Sequence, residues 1–127
     1  MRYALLLHSY EPTPGEIPQE GFEEMERLFD AYGKALQAAG VLIGADIMQF
    51  SHATTTLTRR TGSTQVQDGP FAETKEALAG VFIIEVPDAD AALAWAEKCP
   101  GASYGSVEIR PVATSLADGT WTSHGPA

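Results

Sequence analysis

The sequence is short of cysteine, of basic residues and of long apolar runs, and each shortage excludes a class of protein. A single cysteine, Cys99, excludes an internal disulfide framework and is typical of a reducing cytoplasm, which is the expected location. Eight Lys and Arg stand against 17 Asp and Glu, so the net charge of −9 leaves no basic stripe for nucleic acid. No apolar run approaches the roughly 18 residues that a membrane span needs.

Motifs that bind metals and phosphates are also missing. The three His and one Cys show no HxxxH, CxxC or HExxH spacing, so neither a metal nor another cofactor is predicted. What remains is a chain of 127 residues, 44% hydrophobic, which is enough for one core. The opening MRYALLLHSY is too short for a signal-peptide core and is expected to form a strand.

Four segments predict the main strands of a sheet. Residues 2–8 and 81–86 are almost continuously apolar, which predicts strands buried on both faces. Residues 41–49 follow a helical pattern and are expected to form a third strand. Residues 106–112 alternate apolar and polar positions and contain Pro111, which lacks an N–H donor, so this strand belongs at a sheet edge.

Two segments predict helices. Residues 19–39 carry apolar side chains at spacings of three and four, and Gly40 is a suitable C-terminal stop. Residues 88–99 begin at Asp88, a good N-cap, and end before Pro100 and Gly101. Cys99, at the end of this helix, is interpreted as a buried packing residue.

The order of these elements predicts an α+β fold. Residues 54–59 and 64–67 flank a turn sequence and predict a β-hairpin, so the order is β-α-β, hairpin, β-α-β. Two helices cover only one face of a four-stranded sheet, so we expect a homodimer packed through the other face. The domain is expected over residues 1–112, followed by a polar tail, 113–127, which is either frayed or lays Trp121 across the partner.

The segment VQDGPFAETKEALAG, residues 66–80, concentrates turn and charged residues next to a predicted central strand. Asp68 and Gly69 favour a turn, and Phe71 is expected to anchor the loop in the core. A rigid polar loop near the end of a sheet suits a binding site. The alternative is that Asp68 only caps a turn and that the charged side chains are solvated.

DGPFAETKEALAG closely resembles the signature of DGPF-type proteins within the YCII-related family. The resemblance extends over residues 1–112 through MRYALLLH, LQAAGVLIG, EVPDADAALAWAEKCP and VEIRPV. It implies a ferredoxin-like domain, β-α-β-β-α-β with an inserted hairpin, in dimers of the dimeric α/β-barrel type. Some relatives resemble lyases or dehydrochlorinases with a His–Asp pair, but Phe29 and Cys99 occupy the corresponding positions here, so that pair does not carry over.

The remaining polar residues predict a different site. His8 ends the first strand, where a side chain can face a cleft or bond locally. The predicted catalytic residues are His8, Asp68 and Lys75, and the predicted substrate-binding residues are Tyr10, Glu73 and Arg110. If these six side chains converge, they would suit a small acidic or enolic ligand in a cleft lined by the DGPF loop. The protein would then bind this ligand or act on it as a lyase or isomerase. The alternative function, implied by the resemblance, is a non-catalytic regulatory partner of extracytoplasmic-function sigma factors.

Overall fold

A computed structural model describes residues 1–125 as a mixed α+β structure with antiparallel sheets. The described elements, in chain order, are β1 (Arg2–Ser9), α1 (Gln19–Ala38), β2 (Leu42–Ile47), β3 (Thr55–Thr58), β4 (Gln65–Asp68), β5 (Ala77–Glu85), α2 (Ala89–Glu97), β6 (Ser106–Pro111), β7 (Thr114–Ala117) and β8 (Thr120–Ser123). Short 3₁₀ turns occupy Ser51–Ala53 and Pro100–Ser103. Neither α-helix within residues 1–125 has the length and apolar character needed to cross a bilayer.

The main sheet has four antiparallel strands in the order β2-β5-β1-β6. The two segments that are apolar throughout, β1 and β5, are central, and the strand with Pro111 lies at an edge, as expected. Leu5 pairs with Phe82 of β5 on one side and with Ile109 of β6 on the other. This register places the buried side chains of three strands on one face, beneath the helices.

Local sequence signals set the C-terminal end of α1 and the N-terminal end of α2. Gly40 adopts a positive φ of 74°, and the Val41 N–H donates to the Leu36 carbonyl at 3.1 Å, which closes the end of α1. The Asp88 carboxylate accepts a hydrogen bond from the Ala91 N–H at 2.9 Å and caps α2. The predicted stop and N-cap are therefore both confirmed.

The core lies between the helices and one face of the sheet. Its buried hydrophobic residues are Tyr3, Leu5, Leu7, Tyr32, Leu36, Phe82, Ile84, Val86, Ala92, Ala96 and Cys99. The Tyr32 ring packs edge-on against Phe82 at 5.3 Å, and its hydroxyl donates to the Trp95 carbonyl at 2.8 Å. Cys99 is 2% exposed, and burial raises the pKa of its thiol, so the interpretation of Cys99 as a packing residue is confirmed.

The opposite face of the sheet, which we call the open face, is apolar at its centre and charged at its margins. The strand pairs Leu6–Val81 and Ala4–Ile83 form the central strip, and all four side chains are partly exposed. Glu108 and Arg110 of β6 pair with Leu6 and Ala4, so they flank this strip on one side. Both central strands are thus apolar on both faces, but the helices cover only one.

Two hairpins lie outside the main sheet. β3 and β4 pair antiparallel close to the predicted hairpin positions, and Leu57 faces Val66 across them with both side chains exposed. β7 and β8 form a second hairpin within the predicted polar tail, so the alternative of a frayed tail is wrong for the described part. Residues 126 and 127 of that tail lie outside the described residues.

Candidate functional site

A cavity of about 580 Å³ lies at one end of the main sheet, against the first half of α1. Its walls come from the end of β1 and the segment after it, from α1, from the end of β2 and from the turn before β6. The lining residues are Leu7, His8, Ser9, Tyr10, Glu11, Pro12, Glu16, Ile17, Gly21, Phe22, Met25, Glu26, Phe29, Ile47, Met48, Gln49, Phe50, Ala79, Gly101 and Tyr104. Most of these side chains are apolar, so the cavity is a mainly apolar space with a few polar groups.

Two carboxylates hold the segments around this cavity. Glu16 accepts hydrogen bonds from the Thr13 N–H at 2.9 Å, the Thr13 hydroxyl at 3.1 Å and the Tyr10 hydroxyl at 3.3 Å. The Thr13 N–H, followed by the Thr13 hydroxyl, lowers the pKa of Glu16 because these bonds favour the ionised form. Glu11 accepts from the Ser51 N–H at 2.7 Å and from the Ser51 hydroxyl, which joins the segment after β1 to the turn after β2.

Two glycines allow backbone and side chains to approach closely beside the cavity. A Cβ at Gly21 of α1 would lie 2.8 Å from Cγ2 of Ile17, which lines the cavity. A Cβ at Gly105, just before β6, would collide with the backbone oxygen of His8. Gly21 therefore lets the Ile17 side chain pack against α1, and Gly105 lets the turn before β6 approach the end of β1.

A second concavity, of about 690 Å³, lies on the outer surface of α1. Its lining residues are Glu20, Glu23, Glu26, Arg27 and Asp30. All five are exposed charged side chains, and Arg27 pairs there with Glu24. This groove lacks the apolar walls that give a ligand pocket most of its binding energy, so the cavity beneath α1 is the better candidate.

The structure separates the predicted site residues into two groups: His8, Tyr10 and Arg110, of which the first two line the cavity, and three residues of the β3–β4 hairpin and the loop after it. The imidazole Nε2 of His8 lies 3.3 Å from Oε1 of Glu108, and Nη2 of Arg110 lies 3.9 Å from Oε2 of the same residue. His8 and Arg110 therefore meet through Glu108 on β6. Tyr10 lines the cavity beneath α1, bonded to Glu16.

The other three predicted residues, Asp68, Glu73 and Lys75, lie on the β3–β4 hairpin and the loop after it, and all are exposed. This loop is held by the Gly69 N–H, which donates to the Thr54 carbonyl at 2.7 Å. Within residues 1–125, no hydrogen bond or ion pair joins Asp68 or Lys75 to His8. Their joint catalytic role stays a prediction, without a direct contact in the protomer to support it.

Two expectations about the DGPF loop are wrong for the protomer. Phe71 does not enter the core: its side chain is 70% exposed, and the Arg60 guanidinium lies 5.3 Å from its ring centroid. The loop does not line the cavity either, because Ala79 is the only residue of segment 66–80 among the lining residues. Gly69 has a φ of 103°, which favours glycine, so the chain turns just before Pro70 and Phe71.

Sequence reasoning missed most of the cavity wall. Phe22, Met25 and Phe29 follow the helical spacing of α1, but the first two face the cavity and Phe29 borders both it and Phe82. Met48 and Phe50, just after β2, carried one visible signal, an apolar run that continues beyond the strand. Periodicity identifies the inward side of a helix, but it does not show whether another side chain fills the space opposite.

Comparisons with known proteins agree on a family. The model of the YCII-related domain matches residues 1–115. An uncharacterized protein of Rhizobium meliloti (strain 1021), R00369, is 36% identical over 115 residues, which cover 89% of this chain and 93% of that protein. The resemblance seen in DGPFAETKEALAG is thereby confirmed over nearly the full length. The chain belongs to the YCII-related family.

Proposed function

We propose that this protein binds a small molecule in the cavity beneath α1. The observation that carries the proposal is the cavity itself: about 580 Å³, mainly apolar, with Tyr10, Glu11 and Glu16 as oriented polar groups. Ligand pockets usually have volumes of about 300–1,000 Å³ and this mixture of apolar walls and few polar groups. Several wall residues are exposed in the protomer, among them Phe22, Met48 and Phe50, and a ligand would bury them.

If the bound molecule is turned over, the site favours proton transfer. His8, whose Nε2 lies 3.3 Å from Oε1 of Glu108, and Tyr10, whose hydroxyl donates to Glu16, place a candidate base and a candidate acid at the wall. This is the chemistry of a lyase or isomerase. Glu16 lines the same cavity, but the hydrogen bonds that lower its pKa make it a weaker base.

The test is a binding screen with a variant that fills the cavity. Met25→Trp places a larger side chain in the wall, and Leu93→Trp makes a comparable change at an exposed position of α2. Compounds from a broad panel of neutral and charged metabolites are expected to raise the melting temperature of the wild type and of Leu93→Trp. The Met25→Trp variant is expected to lose at least tenfold in affinity for each hit, measured by calorimetry. A flat response of the wild type across the panel, or equal binding by both variants, would refute the proposal.

The proposed architecture is a ferredoxin-like domain in a homodimer of the dimeric α/β-barrel type. The strand order β2-β5-β1-β6 and the position of both helices on one face support the first part. The open face supports the second, because an apolar strip with a charged margin resembles an interface with an apolar centre and a polar rim. Trp121 and Leu116 face each other across β7–β8 with both side chains exposed, and they are candidate contacts with the partner.

Light scattering after size exclusion tests the dimer. The wild type is expected at twice the protomer mass of 13.5 kDa. Ile83→Glu puts a charge in the centre of the open face and is expected to yield a folded protomer. Leu93→Glu, on the outer side of α2, is the matched control and is expected to remain a dimer. A wild type that runs as a single protomer at all concentrations would contradict this architecture.

A second candidate function, regulation through protein contact, is favoured by the β3–β4 hairpin. This hairpin projects from the main sheet with Leu57 and Val66 paired and about 61% exposed each. These two exposed side chains are candidate contacts with a macromolecular partner, for which the family resemblance implies an extracytoplasmic-function sigma factor. Leu57→Ser is expected to abolish co-elution with such a factor and to leave cavity ligands unaffected. Co-elution that survives Leu57→Ser would exclude this surface.

A further inference from the structure

The charged side chains in the wall of the cavity are all of one sign. Glu11, Glu16 and Glu26 line it, and no Lys or Arg does so within the described residues 1–125. The imidazole of His8 is engaged by Glu108, a further carboxylate. The wall therefore offers a negative electrostatic potential, on a chain whose net charge is already −9.

The Glu16 carboxylate, which Thr13 and Tyr10 hold in place, keeps acceptor capacity for a ligand. All three hydrogen bonds to Glu16 go to Oε1, which leaves Oε2 free of hydrogen bonds from the described residues. These bonds also lower the pKa of Glu16, so the group is ionised at neutral pH. A carboxylate that is held in place by its neighbours loses little freedom when a donor approaches the second oxygen.

The apolar part of the wall is rich in aromatic rings. Five of them line the cavity: Tyr10, Phe22, Phe29, Phe50 and Tyr104. Aromatic faces attract cations, and more strongly the further the cation is desolvated. Met25 and Met48 add flexible apolar surface that adapts to the shape of a ligand.

We propose that the ligand of this cavity is a small organic cation, an amine carried on an aromatic or aliphatic body. The amine lies near the unbonded Oε2 of Glu16, beside Tyr10, and the body lies between α1 and the sheet. An anionic ligand would face three carboxylates and no compensating cation, so the acidic or enolic ligand expected from the sequence is disfavoured at this site. The inference rests on the proposed function and specifies the class of ligand.

Three probes that share an indole body separate charge from shape. Tryptamine is a cation at pH 7, tryptophol is neutral and indole-3-propionate is an anion. Calorimetric titration is expected to give the tightest binding for tryptamine and an affinity about tenfold lower, or weaker, for indole-3-propionate, since each tenfold step corresponds to about 1.4 kcal/mol. The preference is expected to shrink as NaCl rises, because the site is partly open to solvent.

The variant Glu16→Gln tests the role of the carboxylate. Its side-chain oxygen can still accept from Thr13, so the segment after β1 keeps its anchor. The ratio of tryptamine to tryptophol affinity is expected to fall about threefold or more, while tryptophol affinity stays the same. Glu97→Gln, at the end of α2, changes the net charge equally outside the cavity and is expected to leave the ratio unchanged.

The outcomes separate this inference from the proposed function. Equal or tighter binding of tryptophol or indole-3-propionate would overturn the preference for a cation while leaving a small-molecule site in place. A ratio that is unchanged in Glu16→Gln, or that falls equally in Glu97→Gln, would remove the carboxylate from the explanation. If none of the three probes binds at millimolar concentration, the inference is refuted, and the proposed function then depends on the broad panel and on Met25→Trp.

Discussion

Leu5 and Leu6 are neighbours in β1, yet their side chains have different surroundings. Leu5 is fully buried between Phe82, Ile109 and the helices, whereas Leu6 lies on the open face beside Val81 and Glu108 and is partly exposed. Two leucines that are adjacent in one strand therefore differ in burial: Leu5 lies in the core, and Leu6 lies on a face that the helices leave uncovered. The comparison teaches that an apolar residue in a central strand predicts burial on both faces, but that the protomer supplies cover for only one.

The largest expected effect is the difference between Leu5→Ala and Leu6→Ala. Leu5→Ala leaves a cavity in the core and is expected to lower the free energy of unfolding by about 2–5 kcal/mol. Leu6→Ala removes a partly exposed side chain and is expected to cost about 1 kcal/mol or less in the protomer. Urea unfolding at a protein concentration low enough to favour the protomer measures both.

Measurements at several protein concentrations distinguish Leu5→Ala from Leu6→Ala further. In a sheet-face dimer, the cost of Leu6→Ala rises with concentration because the lost contacts then include the partner, while the cost of Leu5→Ala stays constant. A large cost for Leu6→Ala in dilute solution would mean that the open face is already covered within the chain. The contrast between the two faces would then be wrong.

A smaller effect is expected from Tyr32→Phe, under the covered face. The Tyr32 hydroxyl donates to the Trp95 carbonyl and joins α1 to α2, so its removal is expected to cost about 1 kcal/mol at pH 7. Burial, followed by the nearby Cys99, raises the pKa of Tyr32 well above its usual range. The folded state therefore binds this proton more tightly than the unfolded chain, so the stability it contributes is present below about pH 10 and is lost as the pH rises further.

Alkaline unfolding checks the sign of this linkage. Wild-type stability is expected to fall with rising pH above about pH 10, and the fall is expected to be shallower in Tyr32→Phe. Burial also raises the pKa of Cys99, so this thiol lowers the stability at high pH in the same way. The stability of Tyr32→Phe is therefore still expected to fall with rising pH. Identical slopes for wild type and variant would show that Tyr32 ionises as readily in the folded chain as in the unfolded one.

Sequence reasoning succeeded where one local pattern decides the outcome. Gly40 and Asp88 end and begin helices because backbone groups within a few residues need a partner or a positive φ, and no distant residue alters that need. The Asp118–Gly119 turn between β7 and β8 was equally local, with positive φ at both residues, and it is a strong hairpin signal that was overlooked in the polar tail.

The candidate site was harder to predict because a cavity forms where no other side chain packs against an apolar residue. Phe22 and Met25 carry the same helical signal as the buried Tyr32 and Leu36, but only the latter pair meets core side chains. In the DGPF loop, the expected burial of Phe71 was wrong, since its side chain lies outside the core. Charge and turn residues identify a loop, whereas its direction depends on the whole fold.

The smallest expected effect concerns Arg110, at the charged margin of the open face. In the protomer its guanidinium lies 3.9 Å from Glu108 and is largely exposed, so Arg110→Ala is expected to change the free energy of unfolding by about 0.5 kcal/mol or less. Lys34→Ala breaks another exposed pair, with Asp30 on α1, and is the matched control. Both effects are expected to be equally small in dilute solution.

At high protein concentration the two variants are expected to diverge. A partner on the open face would enclose Glu108 together with His8 and Arg110, and removing one member of an enclosed charge group is far more costly than removing an exposed one. Arg110→Ala is therefore expected to weaken the dimer, measured by its dissociation constant, while Lys34→Ala leaves it unchanged. Equal behaviour of the two variants would place Arg110 on a surface that stays in water and would count against a dimer through the open face.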